Sequence, residues 1–119
     1  GKYCTDCINE FPQSWFSNVK ISSVADPKFN YFGVKSRQSL MVWREKGWIY
    51  DPDPRGWFQW YCRYFIGRRL PDLDMIQINR WKNFSRHASQ VLKNCNSGDL
   101  SCRPRQRQAL LQWSYDPFI

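Results

Sequence analysis

No run of apolar residues approaches the ~18 that a membrane-spanning helix needs, and the opening residues do not read as a secretory signal. Histidine occurs once, as His87, which excludes the paired-histidine metal motifs and leaves any acid–base catalyst little company. Glycine is sparse, with six residues scattered along the chain, so no glycine-rich loop can cradle phosphates. No Gly-x-Ser-x-Gly elbow occurs either. Acid is scarce: 10 Asp and Glu face 18 Lys and Arg, for a formal charge of +8. Cysteine is limited to five residues, an odd number that argues against a complete disulfide framework and is too small for a disulfide-dense scaffold. Internal repeats and low-complexity tracts are absent.

Aromatic residues, by contrast, make up 18% of the 119 residues. That excludes a disordered basic tail. A chain of this length is one domain's worth and can bury a core without metal or disulfide staples. Fifteen of the 18 basic residues follow position 33, and eleven of the 18 are Arg.

The pattern predicts a mainly α fold, with about four helices packed around a central aromatic-rich helix. Residues 1–33 carry no net charge and several turn formers, and read as an irregular arm with one short hairpin at most. Residues 34–119 read as the helical domain. Its first helix runs from about Ser36 to Lys46, with Gly47 as terminator. The second runs from Asp53 as N-cap, through Pro54 in the first turn, to Gly67. It is apolar almost all round, which predicts burial on every side. A long third helix is expected from about Asp72 to Asn94, with apolar residues Ile78, Trp81, Phe84, Ala88 and Val91 or Leu92 at helical spacing. A fourth is expected from about Arg103 to Tyr115.

Cys4-x2-Cys7 has the spacing of a zinc knuckle, and Cys95 with Cys102 would complete a four-thiolate structural zinc site. The second pair is looser than usual, so a Cys95–Cys102 disulfide and free thiols stand beside the zinc reading. Cys62, inside the aromatic segment, reads as a small buried hydrophobe.

Nucleic acid is the partner that this composition favours, with DNA ahead of RNA, no membrane contact and no catalysis. Arginine suits phosphate oxygens and guanine edges and stacks on bases. The expected contacts are Arg68 and Arg69 past the aromatic helix, Arg103, Arg105 and Arg107 opening the last one, and Lys82 and Arg86 between. Trp15, Trp43 and Trp48, at or beyond helix ends, are the rings expected to reach a groove where bases could stack. The expected location is intracellular, and nuclear for a DNA partner. The alternatives are a protein-interaction module, binding a peptide or acidic partner through exposed aromatics, and a small nuclease or base-processing enzyme using Asp51, Asp53, Asp72 or His87. Capping already accounts for Asp53 and Asp72 in this reading.

The segment Pro54-Arg-Gly-Trp-Phe-Gln-Trp-Tyr-Cys-Arg-Tyr-Phe-Ile-Gly-Arg-Arg69, with Arg80-Trp81 and Arg105-Gln-Arg-Gln-Ala-Leu-Leu-Gln-Trp113 after it, resembles a block of an uncharacterised family of eukaryotic and viral proteins. The resemblance implies that about Phe32 to Tyr115 form one recurring helical module and that residues 1–31 vary. It carries no activity, cofactor or site residue with it.

Overall fold

A computed structural model describes residues 6–119. Among these the chain forms five α-helices: α1 (Leu40–Glu45), α2 (Trp57–Phe65), α3 (Pro71–Asn83), α4 (Ser85–Asn94) and α5 (Pro104–Gln112). No named strand occurs among the described residues, and the fold is mainly α around an aromatic cluster, as the sequence predicts. The arm holds three short 3-10 turns, Asp6–Glu10, Gln13–Phe16 and Pro27–Phe29, in place of the hairpin. No helix among the described residues is long and apolar enough to cross a membrane.

Helix α1 starts later than expected. Ser39, not Ser36, caps it by accepting from the Val42 N–H, while the Ser36 hydroxyl donates to the Arg105 carbonyl. Helix α2 also starts late, after Gly56 at φ +100°. A Cβ there would lie 3.3 Å from both the Ile49 Cδ1 and the Trp43 ring, so glycine is needed for conformation and for space together. Asp53 is therefore no cap. It is fully buried, and its carboxylate bonds Arg63 at 3.0 Å and both Nη atoms of Arg68, at 2.7 and 2.6 Å. Arg63 also pairs with Glu10, which ties the arm to α2. Hydrogen bonding to Glu10, partly opposed by burial, raises the Arg63 pKa and keeps that cation charged.

Helix α2 is not buried on all sides. Trp57 and Trp60 are 2% and 3% exposed, whereas Phe58 and Phe65 are 54% and 69% exposed. A helix of the small body can press only one face inward, and both indoles there carry an N–H that burial obliges to bond. Trp57 Nε1 donates to the Gln77 carbonyl, and Trp60 Nε1 to the Asp74 Oδ1 at 2.8 Å. The other Asp74 oxygen accepts the Leu70 N–H at 2.8 Å. That closes the first turn of α3, whose Pro71 lacks a donor to satisfy.

The predicted long helix is two. Phe84 interrupts it, and its N–H is shared between the Arg80 and Trp81 carbonyls. The Trp81 carbonyl also takes the Tyr115 hydroxyl, so a side chain enters the ladder at the break. The Phe84 ring stacks on Trp113 at 4.8 Å. Helix α5 stops at Gln112 because Ser114 turns left-handed at φ +56°, and the Tyr115 N–H returns to the Leu110 carbonyl at 2.9 Å.

The zinc reading does not hold in the described structure. Cys95 and Cys102 form a disulfide that joins the end of α4 to the start of α5, and sulfurs so engaged are not thiolate ligands. Cys4 and the Cys7 side chain lie outside the described residues. Among the described residues no group of three or more His, Cys, Asp or Glu could hold a metal ion. The bond persists in oxidising surroundings and opens where thiols are kept reduced.

Two outcomes follow from these contacts. Asp53→Ala leaves two guanidinium groups without their buried carboxylate and should lower the unfolding free energy by roughly 3–5 kcal/mol, read from denaturant melts. Cys95→Ser with Cys102→Ser should cost roughly 2 kcal/mol, since the loop closed is short. A denatured thiol titration should gain at least two thiols when the wild-type protein is reduced first, the pair being Cys95 and Cys102.

Candidate nucleic-acid interface

The aromatic rings form a connected stack. Tyr61 lies 5.2 Å from Trp57, Trp57 lies 4.6 Å from Trp113, Trp113 lies 4.8 Å from Phe84, and Phe84 lies 4.4 Å from His87. It runs through buried Trp57 on α2 and surfaces at the α3–α4 break. There Phe84, His87 and Trp113 line an open groove of about 450 Å³, whose remaining walls are Gln38, Trp43, Trp48, Arg80, Asn83 and Arg86. Two arginines and four large aromatic residues line it, and no carboxylate does.

Each wall is set by a local cause. Gly47, at φ +72°, ends α1 and lets the Trp48 N–H return to the Trp43 carbonyl at 2.9 Å. This places the two indoles edge to face at 6.5 Å. Trp48 remains 41% exposed. Arg80 bonds the Trp48 carbonyl at 3.0 Å and Gln77 Oε1 at 2.9 Å, with its guanidinium 5.6 Å from the Trp113 ring centre. Burial lowers the Arg80 pKa, yet arginine keeps its proton at neutral pH.

His87 is held from α5. Arg103 donates to Gln106 Oε1 at 2.9 Å, which fixes the orientation of that amide. Gln106 Nε2 then faces His87 Nδ1 at 3.0 Å and also donates to Gln90 Oε1. An amide N–H₂ can only donate, so Nδ1 accepts and the neutral ring carries its proton on Nε2. Burial and then the charge of Arg86 lower the His87 pKa.

The seven basic residues expected at a binding surface divide. Arg86, exposed on α4, lines the groove. Arg103 and Arg105 are exposed at the start of α5 and, with Val34, Pro104 and Gln106, line a second, shallower depression. The Gln106–His87 bond joins it to the groove. Arg103 is left-handed at φ +54°, a conformation uncommon outside glycine. Lys82 is exposed on α3. Arg68 is instead engaged with Asp53, and Arg69 lies over the Tyr64 ring at 3.7 Å and bonds the Tyr64 carbonyl. Arg107 is a correction. It is fully buried, its Nε donates to the Cys102 carbonyl and its Nη1 to those of Pro117 and Ile119, so phosphate cannot reach it in the folded chain.

The expected rings also divide. Trp43 and Trp48 reach the groove, while Trp15 packs on Phe11 and Phe65, at 5.5 and 5.8 Å. Arg80, Phe84 and Trp113 were not expected there. Phe84 and Trp113 have the spacing of core residues and do serve the core; only the helix break at Phe84 exposes one side of their stack. Among the carboxylates weighed for catalysis, Asp53 is buried under arginines and Asp51 and Asp72 stand exposed.

Protonating His87 would set an N–H against the Gln106 amide and break the Arg103 and Gln90 bonds that orient it. The folded pKa lies below the ordinary 6.5, so the contribution to stability is complete above the unfolded pKa and is lost as pH falls through the folded one. The melting temperature of the wild type should therefore drop more between pH 7 and pH 5 than that of His87→Gln, as read by thermal melts of both proteins.

Comparison with protein-family models, curated proteins and solved structures finds no match to this chain, so its functional reading stands on the groove and the basic surface beside it.

Proposed function

We propose that this chain is a non-catalytic nucleic-acid-binding domain that holds single-stranded DNA. Arg103 and Arg105 contact phosphates, with Lys82 in support, and unpaired bases enter the groove beside Arg86, between Trp43, Trp48 and Trp113. The observation that carries this reading is the lining of the groove: arginines and aromatic rings without a carboxylate, adjoining a second basic depression. Aromatic faces stack unpaired bases, and arginines track the backbone. A duplex hides those faces, so the groove favours single strands. A net charge of +8 would steer a polyanion toward the chain.

A second reading, a protein-interaction module, draws on a different surface. Phe58, Phe65 and Ile66 of the α2 region stand 54%, 69% and 47% exposed, and such a patch could hold a peptide. Phe58→Ala with Phe65→Ala would abolish that contact and leave DNA binding intact.

The test is a salt titration of binding to a labelled single-stranded oligonucleotide, read by fluorescence anisotropy. Wild-type affinity should fall steeply with salt. Replacing Arg103 and Arg105 together by Ala should weaken binding to all sequences and reduce the log–log salt slope by about 1.4. A wild-type affinity indifferent to salt, or a double variant that binds as well as the wild type, would refute the proposal. A matched ribo-oligonucleotide separates DNA from RNA.

A further inference from the structure

The polar lining of the groove comprises two amides, Gln38 and Asn83, that can turn to donate or accept, and side chains that can only donate. Arg86 presents five N–H donors and no acceptor, and it is exposed at the groove. With Nδ1 of His87 occupied by Gln106, the polar atom this ring has left for the groove is Nε2–H, another donor. Arg80, the second cation of the lining, is already bonded to the Trp48 carbonyl and to Gln77. No carboxylate lines the groove, so its charged and ring donors face no anionic acceptor there. The amides adapt to either partner, so the fixed donors of Arg86 and His87 set the preference, and they are met by adjacent acceptors on one edge of a flat ring.

We infer that the groove is a pocket for one unpaired guanine within a strand, its O6 and N7 accepting from Arg86 and His87 and its face stacked on the aromatic wall. Among the bases, guanine alone sets two neighbouring acceptors, O6 and N7, on that edge. Adenine replaces the first with an amino donor, which would meet the guanidinium donor to donor. Cytosine likewise offers an amino donor, and thymine a single acceptor beside a methyl group. The inference rests on the nucleic-acid reading above and adds a base preference to it. Phosphate contacts by Arg103 and Arg105 carry no such preference.

The two claims separate in one experiment. Labelled thymine-rich single strands carry a single central guanine, hypoxanthine, 7-deazaguanine or adenine, and anisotropy reads their affinities at one salt concentration. Guanine and hypoxanthine, which share O6 and N7, should bind alike, and adenine and 7-deazaguanine about tenfold more weakly. Arg86→Lys keeps the charge but loses the planar fork. It should bring the guanine and adenine strands to equal affinity. Equal binding of guanine and adenine strands, with the salt dependence intact, would overturn the guanine assignment and leave the nucleic-acid reading standing. Failure of every strand to bind at low salt would overturn both. Free guanosine monophosphate competing as strongly as the guanine strand would overturn the placement of the base within a strand.

Discussion

The stack of rings from Tyr61 through Trp57, Trp113 and Phe84 to His87 is the contact on which the rest of the molecule is hung. It joins α2, the turn after α5 and the α3–α4 break, three places far apart in sequence. Offset rings at these separations add to the area they bury, and few other fully buried apolar side chains share the work. Val91 and Leu110 are the others among the described residues, with Trp60 beside the stack. Because the same stack ends at the surface, the groove is a continuation of the core. Its walls inherit the rigidity of packed rings, which is what a stacking platform needs if a base is to bind without reordering the protein.

The core is also unusually polar. Asp53, Asp74, Gln77, Arg107 and Gln108 are all buried, and each finds partners that an apolar residue could not replace without leaving others stranded. Gln108 Oε1 accepts the Phe32 N–H and so fastens the end of the arm to α5. Arg107 gathers three carbonyls around the turn after α5. These contacts change how the composition should be weighed. A formal charge of +8 counts Arg63, Arg68 and Arg107 as though they faced solvent, yet the first two are held by Asp53 and the third is enclosed. Among the basic side chains that stay exposed, Arg86 lines the groove and Arg103 and Arg105 stand at the start of α5.

Helical content and the aromatic centre were legible from periodicity and from Gly47 and Gly67 as punctuation. The errors have physical causes. Asp53-Pro54 has the form of a helix start, but a buried carboxylate set against Arg63 and Arg68 gains more from two guanidinium groups than from one backbone N–H. The break at Phe84 lacks glycine or proline to announce it; it arises because Tyr115 and Trp113, about thirty residues later in the chain, claim the Trp81 carbonyl and the Phe84 ring. No local window contains both partners. Arg107 looked like its neighbours because Arg103-Pro-Arg-Gln-Arg107 is uniformly basic, and only the packing of α5 tells which side of the helix faces inward. Trp43 and Trp48 could be singled out because they sit at a helix end beside Gly47, where a ring has less helix surface to cover it.

The basic surface and the groove are coupled by one amide. Gln106 takes its orientation from Arg103, and His87 takes its tautomer from Gln106. A phosphate drawing Arg103 away from Gln106 would free the amide to turn, and the donor that His87 offers to the groove would no longer be fixed. Conversely, an Arg103 that stays on Gln106 keeps a guanidinium partly committed while its remaining N–H groups face solvent, so backbone contact and base reading can coexist. The Cys95–Cys102 bond sits one residue before Arg103 and limits how far that side chain's backbone can drift from α4. The arrangement therefore favours the state in which both ends of the network are engaged, and a strand bound as proposed would meet a groove whose donors are already set.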